Sequence, residues 1–200
     1  MSAMSRRRPA VVVAVALKVV LVALVLFAMT HLDWDRFADK AMTARAVLYP
    51  LAAAVVPAVW FLRGRRGEYP AVADALLVTP FVVDLAGNAL DLYDRVTWFD
   101  DACHLGNWAV LTMAFGLPVA RRCGPWVTAG LCVGFGATTA LLWEVGEYGA
   151  FILKTPESVT AYRDTIGDMT LGLTGAAVAA VVCARLAGRS RPPRGESAGP

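Results

Sequence analysis

Residues Pro9–Thr30 read PAVVVAVALKVVLVALVLFAMT, and Lys18 is the one charged side chain in this run. A helix needs about 20 apolar residues to cross roughly 30 Å of hydrocarbon, so the run is long enough to span a bilayer. Lipid offers the backbone no hydrogen-bonding partners, and a spanning segment of this length must therefore be a helix. We expect Lys18 to extend its ammonium toward the membrane surface, with Asp84 as the alternative partner.

Five further apolar runs of similar length follow along the chain. They lie at Ala44–Leu62, Ala71–Leu92, Ala102–Ala120, Val127–Leu153 and Thr165–Ala187. The 200-residue chain is 58% hydrophobic and has a mean hydropathy of +0.55, which is too apolar for a soluble domain. The sequence therefore predicts an all-α, polytopic transmembrane bundle of about six helices whose main partner is the lipid bilayer.

The predicted transmembrane domain covers residues 9–187 and lies between two polar ends. Residues 1–8 form a basic head. Residues 188–200 are rich in Pro, Gly, Ser and Arg and contain no apolar run, which predicts a disordered tail. The first run lacks a small-x-small cleavage motif after its apolar part, so we expect a retained anchor and not a cleaved signal peptide.

The positions of the arginines predict the orientation in the membrane. Basic residues concentrate at 6–8, 63–66, 121–122 and 185–194, which all fall on one side if every apolar run crosses the bilayer. An excess of Lys and Arg marks the cytoplasmic side, so both termini are expected to be cytoplasmic and the protein is expected in a bacterial inner membrane. The net charge of +3 then reflects topology, and we expect no nucleic-acid partner.

Ionisable and amide side chains gather in the last four runs, although charge inside a membrane is costly. Their spacing places several of them on shared helix faces, and the predicted topology places them near the outer ends of their helices. They are Asp84, Asn88, Asp91 and Arg95, then Asp100, His104 and Asn107, then Glu144 and Glu147, and finally Asp164 and Asp168. The sequence therefore predicts one outward-facing acidic cavity.

So many carboxylates would repel one another unless protons, a divalent metal ion or basic side chains offset them. In the third of these alternatives, Arg95 and Arg163 are the basic side chains that reach into the cavity. The candidate metal ligands are Asp84, Asp100, His104, Glu144 and Asp168. The candidate catalytic acids and bases are Glu144, Glu147 and Asp164.

Three functions stay open at this point. The cavity suits a metal-dependent enzyme that acts on an envelope, lipid-linked or small-molecule substrate. It also suits a proton- or ion-coupled carrier, or a non-catalytic scaffold in which polar groups specify helix packing. The sequence does not select one of these three functions, and it does not indicate the oligomeric state. Two small-residue motifs, Gly130-x3-Gly134 and Gly172-x3-Ala176, predict close helix packing.

Four motifs in the stretch from Asp84 to Ala177 carry a family resemblance. They are Gly87-Asn88 with Leu92-Tyr93, Asp100-x3-His104 with Asn107-Trp108, Trp143-Glu144-x2-Glu147-Tyr148, and Tyr162-Arg163-Asp164-Thr165-Ile166-Gly167-Asp168-Met169. In order and spacing they resemble the YjdF-like family of uncharacterised bacterial and archaeal membrane proteins, and more distantly the VanZ-like proteins. The resemblance implies an inner-membrane helical bundle and no established reaction. Cys103 and Leu105 replace the Gly and Phe that many relatives carry beside the histidine.

Overall fold

A computed structural model of the protein describes residues 3–150 and 152–189, and the regular structure within these ranges is entirely helical. All but one of the α-helices described are long and apolar enough to cross a membrane, which confirms the predicted six-helix bundle. The α-helices are α1 (Ala3–Met29), α2 (Met42–Leu62), α3 (Ala71–Ala89), α4 (Leu92–Arg95), α5 (Phe99–Ala120), α6 (Pro125–Ala150) and α7 (Ala161–Arg189).

The two polar ends are only partly described. Helix α1 begins at Ala3, so most of the predicted basic head belongs to its first turns. Gly188 and Arg189 complete α7, and the rest of the predicted tail lies outside the described residues.

The third span is shorter than expected. Helix α3 ends at Ala89, and Asp91 has a left-handed backbone with φ 61°, which an α-helix does not accommodate. The chain then makes the short helix α4 before α5 starts. The face predicted to run from Asp84 through Asn88 to Asp91 and Arg95 is therefore interrupted after Asn88. Helix α6 also ends early, at Ala150 and not Leu153.

Helix α5 occupies a central position, because it packs against α3, α6 and α7. Its contact with α7 is close enough that a Cβ at Gly175 would collide with the backbone carbonyl of Leu105. A Cβ at Gly172 would lie 2.7 Å from the Trp108 ring, and Ala176 is fully buried. These contacts confirm the prediction for Gly172-x3-Ala176.

The companion prediction for α6 is wrong. A Cβ at Gly130 or Gly134 would have no atom of a neighbouring helix within 4 Å. Gly136 is the α6 glycine that meets Ala176 of α7. Helix α6 therefore carries small residues on more than one face. The tertiary structure shows that α7 packs on the face that contains Gly136.

Helix α1 packs against α3 and α2, and its contact with α3 contains an ion pair whose carboxylate is buried. Lys18 Nζ lies 2.7 Å from Asp74 Oδ2, and Asp74 is 1% exposed. The Tyr69 hydroxyl donates to the same carboxylate oxygen, and burial raises the pKa of this phenol, which keeps it protonated. The expectation that Lys18 extends to the membrane surface is wrong, because a carboxylate on the neighbouring helix lies within its reach.

Candidate functional site

A cavity of about 310 Å³ opens near one end of the bundle, which we call the cavity end. It lies among the N-terminal parts of α2, α5 and α7 and the C-terminal parts of α3 and α6. Every residue predicted as a metal ligand or catalytic group lines it. These residues are Asp84, Asp100, His104, Glu144, Glu147, Asp164 and Asp168.

Helix α5 places His104 at the centre of the acidic residues. The side chain is 8% exposed, and its Nε2 lies 3.6 Å from Asp100 Oδ1, one turn earlier on α5. The same nitrogen lies 3.9 Å from Asp168 Oδ1 on α7. Residues four apart on a helix are neighbours on one face, so α5 itself brings Asp100 and His104 together, whereas Asp168 comes from the helix packed beside it.

The other ring nitrogen of His104 faces helix α6. His104 Nδ1 lies 3.5 Å from Glu144 Oε1, and the Glu144 side chain is 3% exposed. Both atoms are buried and neither makes a hydrogen bond within the described structure. An unsatisfied buried polar atom costs about 1–3 kcal/mol, so this contact is unfavourable unless a proton or a cation lies between the groups. We call Asp100, His104, Glu144 and Asp168 the His104 cluster.

Asp84, from α3, has a different environment. Its Oδ2 lies 3.0 Å from Arg45 Nε and accepts a hydrogen bond of 2.6 Å from the Tyr49 hydroxyl, both on α2. Its Oδ1 accepts from the Tyr93 hydroxyl at 3.1 Å and from Asn88 Nδ2 at 3.5 Å. Burial, with Asp84 adding to it, raises the pKa of Tyr93, so this phenol remains a donor. We call Arg45, Tyr49, Asp84, Asn88 and Tyr93 the Asp84 cluster.

Arg45 is the cation that offsets part of the acidic charge. Besides Asp84, its Nη2 lies 3.4 Å from Glu147 Oε1, and its Nη1 donates to the Lys40 carbonyl. The alternative in which Arg95 and Arg163 reach into the cavity is wrong, because both side chains are exposed and neither lines it. Helix α3 ends before Arg95, and Arg163 lies on an exposed face of α7.

Arg45 was missed although the sequence carried a signal for it. It is the second residue of the apolar run that begins at Ala44, and a charged residue inside a span is a site candidate by default. Tyr49 gave no such signal, because a tyrosine near a helix end is equally typical of the membrane interface.

The mouth of the cavity carries an ion pair between a partly buried lysine and an exposed aspartate. Lys40 Nζ lies 2.5 Å from Asp94 Oδ2, and the Asp94 side chain is 53% exposed. Asp164 also lines the cavity, one turn before Asp168 on α7, and is exposed. The charges thus pass from solvated at the mouth to buried at His104.

The His104 cluster has the donors and spacing of a metal site. Ligand atoms of Asp100, His104 and Asp168 lie within 4.8 Å of one another, as do those of His104, Glu144 and Glu147. Two ligands about 2.1 Å from a tetrahedral ion lie roughly 3.4 Å apart, close to the distances seen around the ring. One imidazole with several carboxylates suits Zn²⁺, Mn²⁺ or Fe²⁺.

Comparison with known proteins identifies a family without an assigned reaction. No curated protein and no solved structure matches this chain. A family model described as "Predicted membrane protein (DUF2238)" matches residues 12–189, which include all six spans except the first residues of α1 and every residue of the cavity. The chain therefore belongs to the predicted membrane protein family DUF2238.

Proposed function

We propose that this protein is a metal-dependent membrane enzyme whose metal ion binds to His104 Nε2, Asp100 and Asp168. The observation that carries the proposal is the buried His104 ring, which has carboxylates beside both nitrogens and whose Nδ1 has no hydrogen-bond partner. A packing histidine would be expected to have that atom satisfied. A divalent ion removes the repulsion among the carboxylates and gives the cluster a reason to be retained in a membrane.

The two sides of the ring then have different roles. If Nε2 held a metal ion, the imidazole would carry its proton on Nδ1, where Glu144 would accept it and orient the ring, as carboxylates do for ligating histidines. A bound divalent ion would polarise a substrate oxygen or lower the pKa of bound water. Asp164 is the best-placed general base, because it lines the cavity from the solvated side, whereas Arg45 holds Glu147.

The location follows from the arginine distribution. We place both termini in the cytoplasm of a bacterial cell, with the cavity open to the outer side of the inner membrane. The motif resemblance to YjdF-like proteins supports this placement. An enzyme so oriented acts on an envelope or lipid-linked substrate. Reporter fusions at Arg65 and Ser158 should report opposite sides of the membrane, and the same side for both would contradict the topology.

Metal analysis of the full-length protein, purified without chelators, tests the proposal. The wild type should contain a transition metal in stoichiometric amount. His104→Ala should lose it, and Glu144→Gln should retain less, because an amide is a weaker acceptor for the orienting N–H. Asp94→Asn is the matched control, since it removes a carboxylate from the cavity mouth outside the ligand set.

The alternatives predict different results. A proton-coupled carrier uses the same carboxylates without a tightly bound metal, and a scaffold needs neither metal nor transport. A wild type that binds no metal after incubation with Zn²⁺, Mn²⁺ or Fe²⁺, or a His104→Ala protein with unchanged metal content, would contradict the enzyme proposal.

A further inference from the structure

A second cavity, of about 470 Å³, lies between α6 and α7 beside the polar one. Its walls are mainly apolar, and it opens on the outer surface of the bundle. The side chains that form it include Leu141, Val145 and Tyr148 of α6 and Tyr162, Ile166 and Met169 of α7. We call it the α6–α7 groove.

The groove faces the hydrocarbon region of the membrane. Both of its helices span the bilayer, and Val145, Leu141 and Ile166 are 61%, 45% and 49% exposed on their outer faces. An exposed apolar surface on a spanning helix is covered by lipid chains, which are the abundant apolar groups at that depth. A volume of 470 Å³ is within the 300–1,000 Å³ range typical of ligand pockets.

Glu144 connects the groove to the polar cavity, because it lines both. It lies six residues before the end of α6 at Ala150, which places it about 9 Å below that end at 1.5 Å per residue. A hydrocarbon chain in the groove therefore has its polar end near Glu144 and the His104 cluster. An ordinary surface groove would have no such continuity with a buried acidic site.

We infer that the substrate is a membrane lipid that enters sideways between α6 and α7, with one hydrocarbon chain in the groove and its polar linkage in the cavity beside Glu144. For the chemistry at the polar end, the inference rests on the proposed function. The binding site for the hydrocarbon chain, which we call the chain site, rests only on the geometry of the groove. The class of substrate is a lipid with a phosphate or ester between chain and headgroup, since these oxygens are the groups that a metal ion in the cavity would bind.

Photo-crosslinking in vesicles tests the chain site. The full-length protein is reconstituted in phosphatidylethanolamine and phosphatidylglycerol, with a fraction of the phosphatidylglycerol carrying a diazirine at the end of one acyl chain. We expect labelling to concentrate on α6 and α7 residues of the groove. A second probe with the diazirine on the headgroup should label cavity residues, including the segment around Asp164.

Two tryptophan substitutions provide a matched pair. Val145 lines the groove and is 61% exposed, whereas Leu142 lies on the same helix, is 63% exposed and does not line it. Both positions face lipid, so both substitutions should be compatible with folding. Val145→Trp should fill the groove and reduce its labelling several-fold, and Leu142→Trp should leave the labelling unchanged.

Uniform labelling of all lipid-facing helices, or equal effects of the two substitutions, would overturn the inference. Metal content separates this failure from that of the proposed function. Groove-specific labelling in a protein that binds no metal would leave the chain site standing and reject the metal enzyme. Bound metal with uniform labelling would reject only the lipid site.

Discussion

The Asp84 cluster and the His104 cluster line the same cavity, but their carboxylates differ in the hydrogen-bond donors that the protein places beside them. Asp84 is held by a guanidinium and by two tyrosine hydroxyls, so both of its oxygens have protein donors. Glu144 Oε1 is also buried, lies 3.5 Å from His104 Nδ1 and makes no hydrogen bond within the described structure. The Asp84 cluster is closed, in the sense that its own residues satisfy its carboxylate. The contact between Glu144 and His104 in the other cluster requires an additional proton or cation.

This difference separates a structural group from a candidate site more sharply than burial does. Buried charge in a membrane is costly in both clusters, but both Asp84 oxygens have protein donors, whereas Glu144 Oε1 and His104 Nδ1 have no hydrogen bond in the part of the chain that the structure describes. The Lys18–Asp74 pair in α1 and α3 is intermediate, because Lys18 and the Tyr69 hydroxyl both contact Asp74 Oδ2, whereas Asp74 Oδ1 is buried without a hydrogen bond in the described structure. The partners of each buried charge therefore distinguish structural charges from candidate site residues, which the sequence alone does not do.

The largest effect is expected from breaking the closed cluster. Arg45→Met keeps the apolar length of the side chain but leaves Asp84 without its cation and Glu147 without a partner on α2. Removing one member of a buried ion pair costs about 3–5 kcal/mol. The free energy of unfolding in mixed micelles should fall by that amount.

The double variant Arg45→Met/Asp84→Asn serves as the control, since it also removes the charge that was left uncompensated. It should recover part of the lost stability. A single variant as stable as the wild type would mean that the Asp84 cluster is not held together in the way described.

A smaller effect, of opposite sign, is expected in the His104 cluster. Glu144→Gln removes a negative charge from a group of repelling carboxylates and offers an amide to His104. Relief of one unsatisfied buried atom is worth about 1–3 kcal/mol, so the metal-free protein should be as stable as the wild type or more stable. Unfolding measured after treatment with a chelator checks this, and a loss comparable to that of Arg45→Met would erase the contrast between the clusters.

The smallest effect is expected at the mouth of the cavity. Asp94 pairs with Lys40, but more than half of its side chain is exposed, so solvent screens the interaction. Asp94→Asn should change the free energy of unfolding by less than about 1 kcal/mol. A larger loss, detected in the same micelle assay, would show that the mouth is part of the buried charge network.

The spans and the positions of the polar residues could be predicted from the sequence. Apolar length decides whether a segment can cross a bilayer, and helical periodicity places Asp100 with His104, and Asp164 with Asp168, on common faces. Both are properties of a few consecutive residues. The end of α3 at Ala89 was not predictable in this way, because the left-handed backbone at Asp91 interrupts a polar pattern that would also suit a continuous helix.

Only the tertiary structure decided which charges meet. Arg45 and Asp84 lie on the consecutive helices α2 and α3, and His104 and Glu144 lie on α5 and α6, so each contact depends on the rotation and depth of two helices in the bundle. Close contacts between helices, such as Gly175 of α7 against the Leu105 carbonyl of α5, fix this rotation and depth. Local spacing therefore determined the spanning helices and their polar faces, whereas helix packing, which acts between distant residues, determined which carboxylates received donors and which were left facing one another.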